Sequence, residues 1–216
     1  MAVPELLQCS LCGHKQPYIA INKLTCDSCG STWVDAVYDY DAFKRDLLSG
    51  LSGRPSNLWR YLDVLPISYD RADEQFTNNL ISAGGTPLLH SVKYAKTLNL
   101  SRLYIKDERY GPTSSFKDRQ AAVAVASMLD NGIKECVIAS TGNAAVAYAA
   151  ACARAGIKLW VFMTSLVPQE KLREAALFGA EVIRVSGNYD QTKQIASDFA
   201  NRRGLLLDRG AGSLPA

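Results

Sequence analysis

The chain has 216 residues, of which 48% are hydrophobic and 21% charged, a composition typical of one or two globular domains. Its 24 basic and 21 acidic residues give a net charge of +3, too small an excess to indicate a nucleic-acid or membrane-surface protein. No apolar run is long enough to span a bilayer, and the segment before Gln8 carries no basic residue, unlike a signal peptide. These features predict a cytoplasmic protein with no nucleic-acid or membrane partner.

Two copies of a Cys-x-x-Cys-Gly knuckle come first in the chain. The glycine in each lets the backbone turn so that amides point at the sulfurs, and four thiolates form a closed tetrahedral set that suits structural zinc. We therefore predict a zinc-ribbon-like unit over residues 1–38 with the metal ligands Cys9, Cys12, Cys26 and Cys29. The alternative, a ribbon that binds nucleic acid, is disfavoured because the loop between the knuckles holds only two lysines and one tyrosine.

Residues 39–85 are predicted to form a connecting segment. Charged and apolar residues alternate over 40–48 in a way that favours a short amphipathic helix, and the Gly, Ser and Pro residues of 50–57 would end it. The run Gly84-Gly85-Thr86-Pro87 is then a turn that leads into the main domain, predicted over residues 86–216.

The main domain alternates strand-like and helical patterns. Strands are predicted over 103–106, 135–139, 158–163, 181–185 and 205–207, and helices over 118–131, 143–155, 168–178 and 189–202. A glycine stands at the end of each helix, and two cysteines, Cys136 and Cys152, lie in apolar surroundings that predict core packing. The pattern indicates an α/β fold, a parallel sheet with helices on both faces in three αβα layers. Its ligand should lie beyond the carboxyl ends of the strands.

Two features are predicted at such strand ends. Lys117 begins the helix after the first strand, and the small residues of Ser140–Asn143 form the turn after the second. A lysine amine is the nucleophile that a Schiff-base cofactor needs, and a glycine-containing turn before a helix offers amides to an anion. The alternatives are a solvated lysine and an ordinary helix cap.

Several motifs resemble a known family. Gly-Pro-Thr-Ser-Ser-Phe-Lys-Asp-Arg over 111–119 resembles the Asn-Pro-Thr-Gly-Ser-Phe-Lys-Asp-Arg motif of threonine synthases, which are pyridoxal-phosphate-dependent enzymes of fold type II, the tryptophan synthase β class. Ala-Ser-Thr-Gly-Asn over 139–143 is similar to their Ala-Ser-Thr-Gly-Asn-Thr loop. Residues 84–88 resemble the family's entry segment, and residues 185–190 resemble its Val-x-Gly-Asn-Phe/Tyr-Asp stretch. The two knuckles resemble the N-terminal ribbon that many members carry. The resemblance runs from Cys9 to about Asn201.

The resemblance implies a role for each matching residue. Lys117 would be catalytic and would form the internal aldimine with pyridoxal 5'-phosphate. Asn143 would hydrogen-bond the cofactor's 3′-oxygen, and Phe116 would pack near the cofactor. The substrate carboxylate would be held by Ser140, Thr141 and Gly142. The implied activity is that of a lyase in amino-acid biosynthesis, which acts on a small, in some cases O-phosphorylated, amino acid by elimination or replacement.

Departures from the family pattern define the alternatives. Ala144 stands where the family has a threonine that helps to hold the substrate's phosphate, and Arg209 is not at the place of the family's phosphate-binding arginine. These departures favour, as an alternative, a β-replacement enzyme similar to cysteate or cysteine synthase. Family members continue well beyond this length, so we expect an N-terminal portion with an incomplete domain, completed by a homo-oligomer or a second chain. The remaining alternative is a truncated non-catalytic subunit or a binding module that lacks the glycine-rich cradle for the cofactor phosphate, which the resemblance places in the part of the family beyond this length.

Overall fold

The computed structural model describes residues 6–17, 25–41, 44, 50–67 and 78–208. The first of these form a three-stranded antiparallel sheet from β1 (Leu6–Cys9), β2 (Lys15–Pro17) and β3 (Val34–Val37), with β1 in the centre. The two cysteine knuckles lie beside this sheet. Most of the helix predicted over 40–48 lies outside the described residues, and a 3₁₀ helix, Leu58–Val64, follows the Gly/Pro-rich stretch.

The prediction that 103–106 forms the first strand of the parallel sheet is wrong. The strand β5 (Tyr104–Lys106) pairs antiparallel with β4 (Leu88–His90) in a separate two-stranded sheet, and α1 (Val92–Thr97) connects them. The rings of His90 and Tyr104 stack across this pair with centroids 5.0 Å apart. All three residues of β5 are exposed, whereas a strand of a covered parallel sheet must be buried on both faces.

The other four predicted strands form one parallel sheet. They are β6 (Glu135–Ala139), β7 (Lys158–Thr164), β8 (Glu181–Val185) and β9 (Leu206–Asp208), in the order β8-β7-β6-β9. Their runs of β-branched and aromatic residues suit strands covered on both faces, and Val137 and Val161 at the centre are fully buried. This confirms the predicted α/β class with its parallel sheet.

Helices cover both faces of this sheet, as predicted. The helices α2 (Lys117–Asp130), α3 (Asn143–Ala155) and α4 (Gln169–Leu177) pack on one face, and α5 (Tyr189–Arg203) packs on the other. Residues 121–128 of α2 are all buried because this helix also contacts a second apolar cluster, which includes Trp59 and Leu80. Gly156 and Gly204 lie at the ends of α3 and α5, as predicted, and both adopt the left-handed conformation that favours glycine. Within the described ranges, no helix is both long and apolar enough to cross a bilayer.

The topology brings the starts of α2 and α3 to one end of the sheet. The backbone N–H of Lys158 donates to the carbonyl of Lys134 at 2.9 Å, so the chain leaving α2 lies beside the chain leaving α3, at the amino ends of β6 and β7. Both helices pack along the same face. Their first residues, Lys117 and Asn143, therefore lie at the carboxyl-end side. The strand order reverses there between β6 and β9, which is where open α/β sheets bind ligands.

Candidate active site

The turn of residues 140–143 directly follows β6. Ser140 is buried, its backbone N–H donates to the Phe162 carbonyl at 3.2 Å, and its Oγ accepts from the Gly142 N–H at 3.4 Å. Thr141 and Asn143 are exposed. Gly142 precedes the first residue of α3 and has no side chain with which to cap the helix's first amides. A Cβ built there has no heavy atom within 4 Å, so the turn is open to a ligand from this side.

Lys117 is the first residue of α2 and is half-buried. Its backbone N–H donates to the Ser115 hydroxyl at 3.1 Å, and its Nζ lies 4.4 Å from the centre of the Phe116 ring. Phe116 is itself 60% exposed, so the amine lies beside an apolar ring at the protein surface. The lysine and the turn thus reach one end of the sheet, although β5 is not part of that sheet.

The loop before α2 is held by Asp118. This buried carboxylate accepts from the Thr113 N–H at 2.9 Å and from the Thr113 hydroxyl. A Cβ at position 111 would lie 2.4 Å from Asp118 Oδ2, so any side chain there would require this carboxylate to shift, and Gly111 avoids that contact. Ser114, at the family's glycine position, adopts a left-handed φ of 57°. Gly111 therefore leaves room for the Asp118 carboxylate, whereas Ser114 adopts a backbone conformation that glycine adopts more readily.

Sequence reasoning missed an ion-pair network beside Lys117. Arg119 donates through Nε and Nη2 to the two oxygens of Glu108, at 2.7 and 2.8 Å. Thr86 Oγ1 also donates to Glu108, at 2.8 Å, and the Thr86 carbonyl accepts from Lys106. The Arg119 guanidinium lowers the pKa of the Glu108 carboxyl to about 2, against the opposing effect of burial. The signal was present as Arg119 in the recognised motif and as the charged run over 106–109.

A cavity of about 500 Å³ lies at the carboxyl ends of β6 and β9, on the α5 side of the sheet. It is lined by Ala139 and Leu207 and by polar residues that include Lys193, Gln194 and Asp208. None of the residues predicted for the site from the sequence lines it. Asp208 is buried at the end of β9 and accepts from the Tyr148 hydroxyl at 2.6 Å. Burial, with the nearby charge of Asp208, raises the pKa of Tyr148, so the phenol stays protonated and remains the donor.

The four cysteines of the knuckles meet at one point. Their sulfurs lie within 4.8 Å of one another, with 3.7 Å between Cys9 and Cys29 and 3.6 Å between Cys12 and Cys26. A tetrahedral zinc ion with Zn–S bonds of about 2.3 Å has sulfurs about 3.8 Å apart, so the donor set fits zinc. The N–H of Cys12 is the main cause that lowers the pKa of the Cys9 thiol to about 6. Each knuckle is closed by a glycine N–H that donates 2.9 Å to the first cysteine's carbonyl.

Comparison with known proteins gives a consistent result. The family model described as "Pyridoxal-phosphate dependent enzyme" matches residues 80–212. The threonine synthase of Methanocaldococcus jannaschii is 35% identical over 204 residues, which cover 94% of this chain and 48% of that protein. The threonine synthase of Methanosarcina acetivorans is 31% identical over 202 residues, with coverage of 93% and 47%. The chain therefore spans about half the length of the curated relatives it matches.

A solved structure shows the same fold. The apo form of Escherichia coli diaminopropionate ammonia lyase superposes with a TM-score of 0.56 and 22% identity, over 62% of this chain and 42% of that one. The family match covers more than half of this chain, and it includes both Lys117 and the 140–143 turn. The chain belongs to the family of pyridoxal-phosphate-dependent enzymes and is a threonine synthase-like member with the fold type II architecture.

Proposed function

We propose that the protein is a pyridoxal-phosphate-dependent lyase that acts on a small amino acid by elimination or replacement, with Lys117 as its catalytic residue. One observation carries the proposal. Lys117 at the start of α2 and the 140–143 turn at the start of α3 lie at the same end of a packed helix pair, and the turn directly follows β6, where the strand order of the sheet reverses. An amine and a set of open amides at one crevice are the two parts that a Schiff-base cofactor and an anionic substrate require.

The residues present fit the cofactor. The half-buried Lys117 amine would attach the cofactor through its aldehyde carbon, with Phe116 against it, and the exposed Asn143 side chain would donate to the cofactor's 3′-oxygen. When bound, pyridoxal phosphate supplies an electron sink for the substrate's carbanion. Ser140, Thr141 and the Gly142 N–H would hold the substrate carboxylate. Once released, Lys117 Nζ would move protons to and from the substrate carbons.

An absorption scan tests this proposal. Purified protein given pyridoxal phosphate should develop a band near the edge of the visible spectrum, and Lys117→Ala should abolish it. Lys93→Ala is the matched control, because Lys93 is an exposed lysine in α1, away from the 140–143 turn in the sequence. A wild-type protein without the band, or a band that survives Lys117→Ala, contradicts the assignment and favours a non-catalytic binding role.

The β-replacement alternative is favoured by one observation. Ala144, the second residue of α3, is half-buried beside the open amides and has no side-chain donor for a second anionic group. A β-replacement substrate carries its leaving group one carbon nearer the amine. Turnover of O-phosphoserine rather than O-phosphohomoserine would support this alternative. If Ala144→Thr then shifts the preference toward O-phosphohomoserine, position 144 decides the substrate.

We also propose that Cys9, Cys12, Cys26 and Cys29 hold a structural zinc ion, supported by the sulfur separations given above. Cys26→Ser should lower the zinc content of the purified protein from about one to near zero per chain. Cys152→Ala is the control, because Cys152 is buried in the main core and lies outside the cluster. Unchanged metal content in Cys26→Ser would remove the zinc assignment.

We further propose that the protein works in the cytoplasm as a homo-oligomer or with a second chain, and without nucleic acid. Among the described residues, β9 pairs with β6 on one side and has no strand on its other side. Such an edge offers backbone groups to another strand. Light scattering after size-exclusion chromatography tests this proposal, and a monomer in the presence of pyridoxal phosphate would contradict a homo-oligomer.

A further inference from the structure

We propose that Glu108 is a positioning residue for Lys117. The inference rests on the proposed function, because it concerns how well the Lys117 amine meets the cofactor. It starts from a feature of α2: the residue before Lys117 is Phe116, whose side chain makes no capping hydrogen bond, and the Ser115 hydroxyl accepts from the Lys117 N–H instead. That hydrogen bond satisfies one of the first amides of α2, and the direction of the turn depends on contacts made by its other side chains.

Two residues of that first turn are anchored outside the helix. Asp118 is tied to the preceding loop through Thr113, and Arg119 is tied to Glu108 through two parallel hydrogen bonds. In an α-helix, residues two apart point about 200° from each other, so Arg119 is held on the side of the helix opposite to Lys117. This contact fixes the turn and leaves the lysine's side free for a ligand.

Glu108 connects the turn to two other segments. Its carboxylate accepts from Thr86 as well as from Arg119, and the Thr86 carbonyl accepts from Lys106 at the end of β5. The segment entering β4 and the start of α2 thus share one carboxylate, and the end of β5 joins them through the Thr86 carbonyl. This connection comes from the two-stranded sheet, because β5 is not part of the parallel sheet.

The geometry is that of a rigid contact. Fork-to-fork pairing of a guanidinium with a carboxylate fixes direction as well as distance. The side chains of Glu108 and Arg119 are 25% and 35% exposed, so both are partly shielded from solvent. By contrast, the neighbouring pair of Asp107 and Arg109 joins residues two apart in one loop, and Arg109 is 81% exposed. That pair resembles the first in chemistry, but its side-chain hydrogen bonds lie within residues 107–109.

The test measures the attachment of pyridoxal phosphate to individual lysines. Protein is incubated with pyridoxal phosphate and reduced with borohydride, and the adduct on each lysine is quantified by peptide mass spectrometry. The ratio of the adduct on Lys117 to that on the exposed Lys93 and Lys96 is the readout. A merely structural role would lower the melting temperature without changing this ratio in protein that is still folded.

In Glu108→Gln we expect the ratio to fall about tenfold, since small misplacements of a reacting group have effects of this size or larger. Arg109→Gln, the matched control, should leave it unchanged. Arg119→Lys keeps the positive charge but loses the two parallel hydrogen bonds to Glu108, so it should lower the ratio in the same way. It provides the test if Glu108→Gln folds poorly.

A wild-type excess on Lys117 that persists in both Glu108→Gln and Arg119→Lys overturns the inference and leaves the proposed function standing. An even distribution over the lysines of the wild-type protein overturns both.

Discussion

Gly142→Ala separates a ligand-binding role of the 140–143 turn from a folding role. The added Cβ would meet no heavy atom within 4 Å, and φ at this position is −151°, so alanine is accommodated without a clash or left-handed strain. Alanine is a poorer N-cap than glycine by about 0.5–1 kcal/mol. It also lowers the conformational entropy of the unfolded chain, which stabilises the folded state by about 0.4–1 kcal/mol and offsets that cost. The free energy of unfolding should therefore change by less than about 0.5 kcal/mol.

Binding should respond differently. A methyl group at Gly142 would occupy the space through which a carboxylate reaches the first amides of α3. The loss of one hydrogen bond to a charged group costs about 1.5–3 kcal/mol, which corresponds to roughly ten- to a hundredfold weaker binding. The assay is a titration of the protein, loaded with pyridoxal phosphate, with O-phosphohomoserine and O-phosphoserine, followed by the change in its absorption spectrum. Denaturant unfolding supplies the stability.

Gln194→Ala is the control for this prediction, because Gln194 lines the cavity on the α5 side of the sheet and lies far along the chain from the turn. It should leave the affinity unchanged. The reasoning is refuted if Gly142→Ala binds as tightly as the wild type, or if Gln194→Ala is the variant that loses affinity, since the substrate would then occupy the cavity.

Three further outcomes concern stability. Tyr148→Phe should lower the free energy of unfolding by about 1.5–3 kcal/mol, because it removes a donor from the buried Asp208 carboxylate. An unchanged free energy of unfolding in denaturant would refute this. Gly85→Ala should cost more than about 2 kcal/mol, because φ is +66° and the new Cβ would lie 1.8 Å from the Ser56 carbonyl oxygen; a wild-type melting temperature would refute this. The pKa of the Glu108 carboxyl is lowered from 4.5 to about 2 in the folded protein, so its contribution to the free energy of unfolding is complete above pH 4.5 and is lost as the pH falls toward 2. Glu108→Gln should therefore flatten the dependence of the free energy of unfolding on pH over that range. An unchanged pH dependence would contradict the ion pair.

Much of the fold could be predicted from the sequence because its signals are local. The runs over 135–139 and 181–185 are strands within the predicted bounds, and the glycines at 156 and 204 end helices where expected. The pairing partner of 103–106 could not be predicted, because a three-residue strand has the same local pattern in either sheet. Its exposure in the fold, not its composition, distinguishes the two.

In the candidate site, too, the features with a local sequence signal could be predicted and the long-range contacts could not. Lys117 and the 140–143 turn were identified from motifs, since their chemistry is contiguous in the chain. The contact of Glu108 with Arg119 spans 11 residues, and that of Tyr148 with Asp208 spans 60. Such pairs depend on how α2, α3 and β9 pack, and no local pattern encodes them.

A crystal structure of the protein soaked with pyridoxal phosphate tests the central claim most directly. The account predicts electron density continuous from Lys117 Nζ to the cofactor, with the Asn143 side chain within hydrogen-bond distance of the ring oxygen. A cofactor bound in the α5-side cavity, or a Lys117 amine that points into solvent away from residues 140–143, would contradict it.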